Sequence, residues 1–181
     1  MFNKLQQNKF YFFLVKAGFL YGFCYLLYEF VIKKQTRLDQ LFIHKIIQVC
    51  TYILKSFGYK IFASKEINDV QVFGLDGSNG VWIGVPCNGI TLMFLFSIFI
   101  ISYPGKIINK LWYLPLGIFI VNFINIARII CLSIIALNYP QYLYFNHTYT
   151  FTFMAYSIVF VLWMVWVNKF SNPLIKNANS N

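Results

Sequence analysis

Cys87, Arg128 and His147 are the residues of this chain whose types and settings suit covalent chemistry. Cys87 stands in Val85-Pro86-Cys87-Asn88-Gly89-Ile90, where a polar stretch gives way to a long uncharged run. The spacing predicts that Cys87 occupies the first turn of a helix. Unsatisfied N–H groups and the positive dipole end gather there, and such a setting favours a thiolate, the nucleophilic form of cysteine. The same N–H groups, with Asn88 beside them, are candidate oxyanion donors. Gly89 would let a substrate backbone approach closely. A small residue opening a helix is the competing reading of Cys87 taken alone.

Arg128 lies roughly nine residues inside an apolar run, about 14 Å along a helix. A guanidinium at that depth costs several kcal/mol unless paired or hydrated. Asn122 and Asn125 precede it at spacings of three, which predicts one polar arc turned toward other helices or a wet cavity. The arc would serve a site or merely join helices. His147, in Phe145-Asn146-His147-Thr148-Tyr149, precedes the last apolar run and is expected in an exposed loop. A neutral imidazole there could take a thiol proton and return it to a leaving amine. His44 is its rival, but it falls on a polar stripe where solvation accounts for it. Asn146-His147-Thr148 matches a glycosylation acceptor pattern, read as coincidence.

All five acidic residues precede Cys87, so an acid pair or an acid-bearing metal site in the later runs is not expected. We expect no cofactor and no metal. The four cysteines, Cys24, Cys50, Cys87 and Cys131, show no metal-like spacing. Cys24 and Cys131 lie inside apolar runs and read as small buried hydrophobes.

The elements that must position these groups follow from composition. The chain has 181 residues, 59% hydrophobic and 11% charged, against about a quarter charged in soluble domains. No charge interrupts the stretches between Asp76 and Lys106, Lys110 and Arg128, or Arg128 and Lys169. Each can hold the roughly 20 apolar residues that cross a bilayer. An all-α polytopic membrane protein is expected, with about four transmembrane helices and no large soluble core. The net charge of +10 is scattered along the flanks of apolar runs, as topology signals are, and no nucleic acid is implied.

Along the chain we expect a cytoplasmic N-terminus (1–9) and a first span (10–32), retained as an anchor. An extracytoplasmic segment follows (33–86), then spans at 88–103, 111–137 and 149–168, and a cytoplasmic tail (169–181). In 41–57, His44, Gln48, Thr51 and Lys55 recur at spacings of four, three and four. They form one stripe of an amphipathic helix, expected to lie in the membrane interface. If that segment spans instead, the N-terminus changes sides. Val70 and Val72, then Val81, Ile83 and Val85, alternate around Asp76-Gly77 and Asn79-Gly80, predicting a short β-hairpin that leads into Cys87. Lys106, Lys110 and the lysines of the tail mark the cytoplasmic side, so Cys87 and His147 share the outer face.

Taken in order, Cys87-Asn88-Gly89, Asn125-Ile126-Ala127-Arg128-Ile129 and His147 resemble the exosortase/archaeosortase family of membrane cysteine transpeptidases. The likeness spans about residues 35–168 and is greatest to the compact exosortase F type. It implies one membrane-embedded domain, 1–181, in a bacterial cytoplasmic (inner) membrane, with the active site extracytoplasmic. It also implies substrates: exported proteins bearing a C-terminal tail of short motif, transmembrane helix and basic cluster, with a possible anchoring acceptor. Cys87 would form a thioacyl intermediate, Arg128 would orient the scissile carbonyl or stabilise its oxyanion, and His147 would act as general acid/base. Asn88, Gly89 and Asn125 would support the oxyanion. A substrate strand would pair beside the hairpin at 68–85. The alternatives are a non-enzymatic assembly or transport subunit that binds a partner through Asn122, Asn125 and Arg128, and an acyltransferase with Cys87 as lipid carrier.

Overall fold

The computed structural model describes residues 15, 16, 18–23, 38–62, 65–67, 70–84, 87 and 89–171. Of the expected first span, residues 15, 16 and 18–23 are helical, and the remainder of 10–32 lies outside the described residues. So do the N-terminal 1–9, Cys24, Asn88 and the tail beyond residue 171.

The described chain is mostly helical. It runs α1 (Leu38–Ser56), β1 (Lys65–Ile67), β2 (Val70–Phe73), β3 (Val81–Ile83), α2 (Ile90–Ser102) and α3 (Ile107–Asn138). A 3₁₀ turn (Pro140–Tyr142), a short α turn (Leu143–Phe145) and a π turn (Asn146–Thr150) then lead into α4 (Phe151–Val165) and a closing π segment (Trp166–Ser171).

Two helical stretches, Ile107–Asn138 and Pro140–Phe170, are long and apolar enough to cross a membrane. The expected span at 88–103 is apolar but shorter: α2 has 13 residues, roughly 20 Å of helix against a hydrocarbon thickness of roughly 30 Å. Tyr103 turns to an extended conformation and ends it, ahead of Pro104-Gly105. The connection expected as an open loop before the last span is helical from Pro140 onward.

The hairpin forms as the turn dipeptides predict. β2 and β3 pair antiparallel with Gln71 opposite Ile83 and Phe73 opposite Val81. The turn between them is held by Ser78, whose amide and hydroxyl both donate to the Leu75 carbonyl, at 3.0 and 2.7 Å. A third strand was not legible beforehand: β1 pairs with the other edge of β2, making the order β1-β2-β3. Val70 and Val72 therefore lie in the central strand, and a substrate strand has no edge of β2 to join. Among the described residues the edge nearest Cys87 is that of β3.

The amphipathic helix is present with its polar stripe outward; His44 is exposed and bonded to Gln48 at 3.1 Å. Its apolar stripe meets protein, while Leu41, Val49, Tyr52 and Phe57 stay exposed. Ile43, Ile46, Ile47, Cys50 and Leu54 are buried in one core with Phe73, Leu75, Ile83, Ile129 and Leu132. Each such side chain contributes about 1.5–3 kcal/mol when taken from water, so this surface is satisfied by the sheet and the end of α3. This core joins α1 and the sheet to the end of α3. It fixes β3, and hence the approach to Cys87, against α3.

At the lysine end a second core gathers Phe96, Ile100, Tyr113, Val121, Val159 and Trp166 from α2, α3 and the last helical stretch. The Tyr113 hydroxyl donates to the Leu162 carbonyl at 2.7 Å. Lys110 Nζ donates to the carbonyls of Ile101 and Tyr103, at 2.8 and 2.7 Å, closing the end of α2. Gly117 lets α2 and α3 meet: a Cβ there would fall on the ring of Phe96, which is fully buried.

Candidate active site

Three elements converge on His147. The segment after β3 brings Cys87, whose Sγ lies 3.2 Å from His147 Nε2. α3 brings Arg128, whose Nη2 donates to the His147 main-chain carbonyl at 3.2 Å. From the first turn of α4, the Thr152 hydroxyl donates to the same carbonyl at 3.3 Å. The three residues singled out from sequence are thus brought together.

Their settings differ in part from expectation. α2 begins at Ile90 with Gly89 as its cap in the left-handed conformation, φ 78°. Cys87 therefore stands before the helix and not in its first turn. Its amide closes a tight turn onto the Gly84 carbonyl at 2.9 Å, one step from the end of β3. A left-handed residue cannot continue a right-handed helix backward, which is why the helix stops short of the thiol. His147 is half-buried on a π turn and not in an exposed loop.

Gly89 has a second constraint. A Cβ on it would lie 3.1 Å from the Asn125 side chain, so the close neighbour of this glycine is Asn125. Asn125 and Arg128 are 4% and 8% exposed and line a small cavity with Leu92, Val121, Phe151 and Ala155. Asn125 Nδ2 is buried with no partner among the described residues. Unmade amide bonds of this kind cost about 1–3 kcal/mol. A free donor beside the thiol-bearing segment is the kind of group an oxyanion would satisfy.

Asn122 departs from the arc. Six residues of helix turn it about 120° from Arg128, and it lines a separate groove of about 710 Å³ with Ile101, Lys110, Leu114, Pro115 and Ile118. Asn122 Oδ1 is likewise buried without a partner among the described residues.

The other cysteines separate by environment. Cys50 is fully buried and pointed at the Ile126 carbonyl; burial pushes its thiol up to about 12, so it stays protonated and unreactive. Cys131, expected as a buried hydrophobe, is exposed on the outward side of α3. Among the described residues no group of three or more His, Cys, Asp or Glu side chains is arranged to hold a metal ion.

Sequence reasoning missed Thr152. A threonine at the start of an apolar helix gives no signal of its own, and its part depends on a π turn that no residue pattern announces. Comparison with protein-family models, curated proteins and solved structures returns no match.

Proposed function

We propose that this chain is a membrane-embedded cysteine protease or transpeptidase of the exosortase kind, acting on C-terminal tails of exported proteins at the outer face of a bacterial cytoplasmic membrane. The observation that carries this reading is the 3.2 Å contact between Cys87 Sγ and His147 Nε2, the geometry of a nucleophile and its base. In the reaction, His147 Nε2 takes the Cys87 proton and the sulfur attacks the scissile carbonyl carbon. The carbon–nitrogen bond breaks, and His147 returns the proton to the departing amine. Water or an amine acceptor then attacks the thioester and regenerates the thiol. Asn125 Nδ2 and the Arg128 donors not committed to His147 are the groups we assign to the oxyanion, since a guanidinium has five N–H donors. Arg128 thereby serves both as clamp of the base and as electrostatic support.

The proposed topology has the lysine end of α3, with Lys106 and Lys110, in the cytoplasm and Cys87, His147 and the β-sheet outside. Four spans are proposed, with α2 and the segment at 10–32 completing the bundle. An extended substrate strand would add to β3, whose chain runs on into Cys87. A second reading rests on Asn122, which lines the groove beside Pro115 and whose buried amide oxygen has no partner among the described residues: a non-enzymatic subunit would bind a partner helix there.

The test is C-terminal proteomics of native membranes with the parent chain and with Cys87→Ala. Proteins that keep an intact C-terminal apolar tail only in the variant identify the substrates. Unchanged tails, with normal accumulation of Cys87→Ala, reject the enzymatic reading in favour of partner binding.

A further inference from the structure

Besides the contact of its ring with Cys87, His147 is held among the described residues by two side chains that meet its main-chain carbonyl. Arg128 Nη2 and Thr152 Oγ1 both donate to His147 O, and a carbonyl oxygen offers two acceptor positions. That carbonyl belongs to the π turn Asn146–Thr150. A π turn carries one extra residue, which rotates everything before it by about 100° relative to the helix that follows. The orientation of His147 toward Cys87 depends on that rotation; a regular α turn would swing the imidazole to another side of the helix. π turns are rare within α-helices and recur at functional sites.

We propose that Thr152 is a positioning residue for His147. Its hydroxyl, with Arg128 opposite, pins the carbonyl of the π turn and so keeps Nε2 within reach of Cys87 Sγ. Thr152 touches neither the thiol nor the ring; it acts through the main chain. The proposal rests on the reading of Cys87 and His147 as nucleophile and base. Among the described residues, Cys87 from the segment after β3 and Arg128 from α3 are the titratable groups bonded to His147.

The experiment needs no substrate. The full-length protein in lipid nanodiscs is treated with iodoacetamide across a pH series, and alkylation at Cys87 is read by mass spectrometry of its peptide. With the parent, the imidazole sustains alkylation on the acid side of the profile, and His147→Ala removes that limb. Thr152→Val, equal in volume but lacking the donor, is expected to lower the acid limb roughly fivefold, the worth of one hydrogen bond. Thr152→Ser is expected to restore it, and the alkaline plateau should be the same in all, showing that access and fold are intact. An acid limb in Thr152→Val equal to the parent's, with His147→Ala still deficient, overturns the role of Thr152 and leaves the pair standing. An unchanged limb in His147→Ala removes the pair, and the proposal with it. A plateau lowered in Thr152→Val and not restored by serine shows general disruption and also rejects the proposal.

Discussion

Cys87 and His147 are 60 positions apart in the chain, and their Sγ and Nε2 atoms are 3.2 Å apart. Neither sits in a regular α-helix: one precedes the cap of α2, the other lies on a π turn before α4. Each is held by a separate device, the tight turn onto Gly84 for the thiol and the clamp on its carbonyl for the imidazole. Cys87→Ala and His147→Ala should each reduce tail processing to background, a loss of about a thousandfold or more. Cys131→Ala, on the outward side of α3, should leave it unchanged. Processed fractions of a tail-bearing substrate in membranes check all three.

Cys50 offers a contrast within the same fold. Its thiol is pushed up to about 12 by burial in the core between α1, the sheet and α3. The folded state therefore keeps a proton that the unfolded chain releases from about pH 8.5 upward. The contribution to stability is complete below that pH and is lost as pH rises toward 12. Relative to Cys50→Ala, the parent should lose stability across this alkaline window, read as the midpoint of thermal unfolding in each protein. Equal slopes would show that the Cys50 thiol is not protected by the core.

Gly89 and Asn125 should couple. Gly89→Ala strains a backbone at φ 78°, at a cost of about 1–2 kcal/mol, and also drives a methyl against the buried Asn125 side chain. In the double variant Gly89→Ala/Asn125→Ala the steric part is relieved while the backbone strain remains. A double-mutant cycle on unfolding free energy should therefore show a favourable coupling of about 0.5–1 kcal/mol. Strict additivity would mean that Asn125 yields freely and does not pack against the cap.

The sheet gives a positional prediction. Proline at Val72, in the central strand, removes a ladder bond and should disrupt the sheet itself. In edge strand β3, a proline scan of Val81–Ile83 should find a position that keeps the fold yet stops processing, where the lost N–H pointed outward. Limited proteolysis reports the fold and tail cleavage reports function; processing that survives at every folded position would exclude pairing of substrate with β3.

Much of this architecture is written in residue types. Apolar runs free of charge mark α2 and α4, and runs broken only by Lys110 and Arg128 mark α3; the stripe of His44, Gln48, Thr51 and Lys55 marks the solvent side of α1. Asp76-Gly77 and Asn79-Gly80 announce the hairpin. What sequence leaves open is set by tertiary partners. The apolar stripe of α1 is equally suited to lipid or to protein, and only the sheet and Ile129 and Leu132 of α3 decide it. β1 is short and lacks alternation, so its pairing follows from β2 and not from its own residues. The meeting of Cys87, Arg128 and His147 at one candidate site was legible. The link between Arg128 and His147 was not, because it runs through a main-chain carbonyl that any residue would supply.

The central claim is that Cys87 carries a thioacyl intermediate, and hydroxylamine tests it most directly. Its nitrogen attacks a thioester carbonyl, breaks the carbon–sulfur bond and leaves a hydroxamate. When native membranes are treated during processing, the new C-terminus of the substrate is predicted to appear as the hydroxamate, and none should form with Cys87→Ala. Cleaved tails that end only in free carboxylate, at a yield indifferent to Cys87→Ala, would contradict the account.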